Sequence, residues 1–266
     1  MFPSILGVIL LLSAAAGALA ADDALVRLSW PLQFEDGAVE APLSAQDVAA
    51  LMRRPLSRVE LTSPESESRE ESWARLLLDG EEEAEEVTPR EVSTREVHTC
   101  QEYLELRDQG WLASSNFDRR LESSFIETCG LLGAVSRACP VRTSYVDDPR
   151  VGVSDLALLP PTALPGLFHE EAERLKRLDA EGHTVADLID RDAEFVLKPL
   201  SASYEYGGWM QTLVEEARGD FNCDGIEDLW VHSYVRAVGG TYRASFNLIL
   251  TRRAPDAMFK ASKFRY

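Results

Sequence analysis

Two periodicities divide the chain. Between Phe117 and Ala138 the apolar residues Leu121, Phe125, Ile126, Cys129, Leu132 and Val135 recur at three- and four-residue steps. That spacing lines one face of a helix. Gly130 and Gly133 let another element approach this face, and Pro140 stops the run. Cys100 to Gln109 repeats the spacing in Tyr103, Leu104 and Arg107, with Gly110 as its terminator. His169 to Ala180 predicts a charged helix closed by Gly182, and Thr184 to Asp190 another short helical turn. Leu156 to Pro165 is proline-rich and apolar and reads as a crossing loop. Nearer the start, Leu25 to Phe34 predicts a strand and Ser44 to Met52 a short helix. Ser44 is its N-cap, with Asp47 three positions later.

The last third changes period. Phe195 to Leu200 and Trp209 to Glu216 predict the first strands, separated by a turn at Tyr204 to Gly208. Leu229 to Arg236 alternates, with Trp230, His232 and Tyr234 on one face and Leu229, Val231 and Val235 on the other. Gly239 and Gly240 turn the chain back, and Tyr242, Ala244, Phe246, Leu248 and Leu250 repeat the alternation. Pro255 and Asp256 mark a further turn before Met258 to Tyr266. Successive hairpins give an antiparallel β-meander in the C-terminal third with a helical region packed on one face. The fold class is α+β. The organisation expected is a leader over 1–20, an N-terminal segment over 21–59, an acidic linker or arm over 60–91, a helical region over 92–190 and a sheet over 191–266.

Between the predicted strands lies Asp220 to Asp228, reading DFNCDGIED. Oxygen side chains stand at loop positions 1, 3, 5 and 9, as Asp220, Asn222, Asp224 and Asp228. Calcium takes roughly six to eight oxygen ligands at about 2.3–2.6 Å, and alternate residues of a tight turn can point at one centre. Gly225 permits the sharp reversal, and the carbonyl of Ile226 at position 7 is the expected backbone ligand. The loop is not an EF-hand. Position 12 is Val231 in place of the bidentate glutamate, position 8 is Glu227, and a strand pattern follows it. It resembles the calcium loop of FG-GAP and VCBS-type repeats, D-x-N-x-D-G-x-x-D followed by a strand. The resemblance implies a bound calcium ion (Ca2+), held by those side chains and the Ile226 carbonyl. Those repeats usually have glycine at the fourth position, where this chain has Cys223. A soft thiol should point away from calcium. The competing reading is a solvated Asx/Gly turn without metal. The loop occurs once, so a propeller or an adhesive array is not implied.

Residues 5–20 form an apolar run ending in small residues, and Ala18 and Ala20 fit a cleavage site that would leave Ala21 as the first mature residue. The expectation is export to the periplasm or the cell exterior, with no membrane span. In that setting the four cysteines lean toward two disulfides, with three connectivities open. If the two long helices form a hairpin, Cys100 meets Cys129, which leaves Cys139 for Cys223.

The formal charge of −18 argues against nucleic acid and anionic membranes as partners. Its distribution is uneven. Glu60 to Glu91 holds 12 acidic and 3 basic residues, and Leu229 to Tyr266 holds 7 basic and 1 acidic. The acidic run reads as a solvated linker, or as an arm lying against the basic C-terminal sheet, with Trp73, Leu76, Leu77 and Leu78 favouring the arm. No nucleophile elbow is present. His169 and His183 are too far apart to share a metal on one helix face, and His232 is the best lone candidate for chemistry, beside Trp230 and Tyr234. The leading reading is an exported calcium-binding protein in which the ion braces a loop-to-strand junction. The alternative is an interaction or ligand-binding protein using the acidic segment or the aromatic strand face. A hydrolase comes third.

Overall fold

A computed structural model describes residues 25–63, 93–148, 151–189 and 195–264. The expected leader, and nearly all of the acidic stretch with Trp73 and Leu76 to Leu78, lie outside these residues. The stretch predicted as one strand from Leu25 is two, β1 (Arg27–Leu28) and β2 (Leu32–Phe34), separated by a bend before Pro31. Proline lacks the N–H that a continuous ladder needs. Strand β2 pairs with β3 (Gly37–Val39). Helix α1 (Ala45–Leu51) starts at Ser44, whose backbone N–H and hydroxyl both donate to Asp47 at 2.8 Å. Strand β4 (Val59–Thr62) occupies the start of the stretch predicted as linker. Val59 and Leu61 alternate inward there, and that burial overrides the local acidity.

Strands β5 (Thr94–Val97) and β6 (Leu112–Ala113) flank β4 in a small antiparallel sheet. Helix α2 (Cys100–Asp108) lies between them in sequence, and α3 (Asn116–Val135) follows. The buried disulfide Cys100–Cys129 joins α2 to α3, with Cα atoms 5.1 Å apart. The apolar crossing loop contains a single 3-10 turn at Pro161–Ala163, after which come α4 (His169–Ala180) and α5 (Val185–Leu188).

The C-terminal strands are β7 (Phe195–Lys198), β8 (Ser201–Tyr206), β9 (Trp209–Gly219), β10 (Asp228–Ala237), β11 (Arg243–Thr251) and β12 (Lys260–Lys263). They form an antiparallel meander in the order β12-β11-β10-β9-β8-β7, with β1 pairing the far end of β9. The turn expected at Tyr204 to Gly208 is shorter, because Tyr204 and Tyr206 belong to β8 and face inward. Gly207 and Gly208 make the turn at φ of 56° and 81°. Serine and alanine ahead of the tyrosines, and Glu205 between them, masked the alternation.

The two faces of the sheet bury separate cores. Trp230, Ala217 and Ile249 pack with Phe125, Cys129 and Leu132 of α3. Leu229, Val231 and Leu248 pack with Leu159, Leu175 of α4 and Val185 of α5. The α+β class holds, and the region read as one helical block divides between the faces.

Between α3 and the sheet lie two carboxyls. The register slips between Trp230 and Val231, which pair with Ala217 and Glu215, so Glu216 is the extra residue of a bulge. Burial, and secondarily the Glu127 carboxylate, push Glu216 up to about 8. Burial also raises Glu127, partly offset by a hydrogen bond that the Tyr234 hydroxyl donates to it. The folded chain therefore keeps a proton on Glu216 that the unfolded chain, at the ordinary value of 4.5, has released. That stability is fully present below pH 4.5 and is lost as pH rises through about 8. The melting temperature in chelator should fall between about pH 6 and 8, and Glu216→Gln should flatten most of that fall. Circular-dichroism melts across the range check this; an unchanged slope in the variant would refute it.

Candidate metal centre

Residues 220–227 connect β9 to β10, and side chains of this turn cap its own amides. Asp220 accepts hydrogen bonds from Asp224 N at 3.2 Å through Oδ1 and from Gly225 N at 2.7 Å through Oδ2. Asn222 Oδ1 accepts from Asp224 N at 2.9 Å, and Asp224 Oδ1 from Ile226 N at 3.0 Å. Asp228 Oδ2 accepts from Phe221 N at 3.0 Å, while its Oδ1 accepts from Asn222 Nδ2 at 3.2 Å and from the Thr251 hydroxyl. The bonds that Asn222 and Asp224 accept from the amides two residues on are Asx-turn bonds, for which short polar side chains are suited.

Two residues take left-handed backbone, Gly225 at φ 83° and Cys223 at φ 62°. For a residue with a Cβ this costs about 1–2 kcal/mol. Cys223 is held there by its disulfide to Cys139, with Cα atoms 5.1 Å apart. The cross-link thus stands where FG-GAP and VCBS-type loops rely on glycine. The segment after Cys139 clamps the turn further. Cys139 N donates to Asp220 O at 2.9 Å, and Arg142 N and Thr143 N both donate to Gly225 O, at 2.9 and 3.0 Å.

All five expected ligand residues lie in this one turn, in two environments. Asp220 and Asp228 are 1% and 0% exposed, whereas Asn222 and Asp224 lie toward solvent. Arg253 Nη2 is 3.1 Å from Asp224 Oδ2. Burial pushes Asp228 up to about 6, against the hydrogen bonds from Thr251 and Phe221, and the Asp224 and Asp220 charges add to the rise. The Ile226 carbonyl meets no hydrogen-bond donor among the described residues. Among those residues, no group of three or more His, Cys, Asp or Glu is arranged to hold a metal ion. The carboxylates face loop amides and hydroxyls in preference to one another. A carboxylate has about four lone-pair sites, so Asp220 and Asp224 keep acceptor capacity beyond the bonds described.

Glu227, left out of the ligand set, turns away from the loop. It is buried, and accepts from Arg27 Nη2 at 2.6 Å and Ser144 Oγ at 2.7 Å. Sequence reasoning also missed Thr251 and Arg253, which reach the turn from the end of β11. No local signal marks them, since strand pairing alone brings Thr251 opposite Asp228.

His232 lies in the core. Its Nδ1 is 2.6 Å from Asn247 Oδ1, and Asn247 Nδ2 donates to Ile126 O at 2.7 Å. The imidazole proton is therefore on Nδ1, and Nε2 has no partner among the described residues. Burial pushes the ring down to about 4, so it is neutral at pH 7. Trp230 and His232 are fully buried on the α3 side of the sheet, while Tyr234 on the same strand face is partly buried. No protein-family model, no curated protein and no solved structure matches the chain, so the likeness to FG-GAP and VCBS-type loops stands on the residues of the turn alone.

Proposed function

We propose that this is an exported protein that holds one calcium ion in the Asp220–Asp228 turn, where the ion braces the junction of β9 and β10. The observation that carries the reading is the crowding of three aspartates, two of them buried, into one turn where, among the described residues, only Arg253 forms an ion pair with any of the three. Asp228 is raised partly by its neighbours' charges, and a divalent cation would relieve that repulsion. The ligands would be side-chain oxygens of Asp220, Asn222, Asp224 and Asp228 with the Ile226 carbonyl. The amide bonds to Asp220 and Asp224 orient these donors in advance. Two disulfides suit an oxidising compartment. No described helix is long and apolar enough to cross a membrane.

Calcium should raise the melting temperature as RT ln(1 + [L]/Kd), about 2.7 kcal/mol at a hundredfold excess over Kd. Magnesium should substitute poorly, because it demands shorter bonds and near-octahedral geometry. Asp224→Ala should abolish the calcium increment while moving the calcium-free melt little, since this side chain lies toward solvent. Calorimetric titration and thermal melts check both, and a wild-type increment in Asp224→Ala would sink the reading.

Glu227→Ala should behave in the opposite way. Its carboxylate anchors Arg27 and Ser144 away from the turn. Truncation should lower the calcium-free stability by about 1–3 kcal/mol through the lost partners, leaving the calcium increment near wild type. Loss of that increment would place Glu227 among the ligands.

A further inference from the structure

At the other end of β9, β10 and β11 a cavity of about 570 Å³ opens between the sheet and the α2–α3 hairpin. Five arginines line it: Arg107 from α2, Arg119 and Arg120 from α3, Arg236 from β10 and Arg243 from β11. Glu122 is the one acidic residue of the lining. It is already engaged by the Tyr103 hydroxyl at 3.1 Å and by Arg107 at 3.4 Å. The guanidiniums of Arg119, Arg120, Arg236 and Arg243 make no hydrogen bond or close ion pair with any described residue, although the Arg119 charge also acts on Glu122, in a chain whose formal charge is −18.

Two features of this placement work against stability. Arg236 and Arg243 are directly opposed in the β10–β11 register, and like charges so placed repel. Arg119 and Arg120 fall at the start of α3, where the helix dipole disfavours cations and favours anions. Both penalties reverse if an anion sits among the four side chains. The lining contains no lysine. Guanidinium forks grip planar or tetrahedral oxyanions through paired N–H bonds, which an ammonium does not do.

We propose that this cavity binds a small polyanion bearing two or more phosphate or carboxylate groups. Four guanidiniums without a close partner exceed what one oxyanion requires. The cavity volume is that of a small-molecule site, and the acidic remainder of the chain would repel a long polyanion running beyond it. The site is independent of the calcium turn.

The test is titration calorimetry on the full chain, in buffer stripped of divalent cations, with tripolyphosphate, citrate and orthophosphate. Either tripolyphosphate or citrate should bind, at least about tenfold more tightly than orthophosphate and more weakly as salt rises. The tighter of the two identifies phosphate or carboxylate as the group recognised. The double variant Arg236→Gln, Arg243→Gln should weaken binding by about tenfold or more, and its ligand-free melting temperature should equal or exceed wild type, because a repulsion is removed. Lys260→Gln, elsewhere on the sheet, should change nothing. If the double variant fails to fold, Arg120→Gln, at an exposed position of α3, serves with the same expectation. Absence of binding by both polyanions overturns the proposal, and so does binding that survives the arginine substitutions.

Discussion

The rest of the structure depends on the antiparallel pairing of β9 with β10. These two strands lie inside the sheet and are covered on both faces. Trp230 and Ala217 face one core, and Leu229, Val231 and Leu213 face the other. Burying each large apolar side chain is worth about 1.5–3 kcal/mol. The helical hairpin and the apolar crossing segment each close one face. The Cys139–Cys223 bridge, spanning 84 positions, ties the exit of α3 to the turn joining the pair. A closure of that length would stabilise the fold by about 4.5 kcal/mol in the chain-entropy account.

The same pair separates two charged regions. Strand β10 begins at Asp228 in the acidic turn and ends beside Arg236 in the arginine-lined cavity. At about 3.4 Å per residue the two are roughly 27 Å apart. That exceeds the screening length of about 8 Å at physiological salt, so neither region neutralises the other. Each is left without a counter-charge from the other, which is the ground for proposing a cation at the turn and an anion in the cavity. Between them the sheet carries a neutral imidazole and a carboxyl that holds its proton, His232 and Glu216. Burial removed the charge from groups that had no opposite charge in reach.

Much of this was legible from the sequence, because it is periodic or local. The 3–4 spacing of Phe125, Cys129 and Leu132 marked the face of α3, and the alternation from Leu229 to Arg236 marked both faces of β10. Ser44 and Asp47 announced the start of α1. The hairpin of α2 and α3 brought Cys100 to Cys129, since helices of known direction leave few heights at which cysteines can meet. The Asx and glycine spacing of Asp220 to Asp228 specified a tight turn, because its hydrogen bonds close within the same nine residues.

The remainder was decided by tertiary structure, because it depends on which distant segments meet. Strand β8 hid behind serine and alanine, and only burial of Tyr204 and Tyr206 makes it a strand. Nothing near Glu227 in sequence points to Arg27, and nothing near Asp228 points to Thr251. The arginines show the difference most plainly. Arg107, Arg119, Arg120, Arg236 and Arg243 are scattered through an acidic chain, and only the docking of α3 on the sheet gathers them around one cavity. A sequence states local hydrogen bonding and the period of burial; the convergence of charge from separate elements exists only once they have packed.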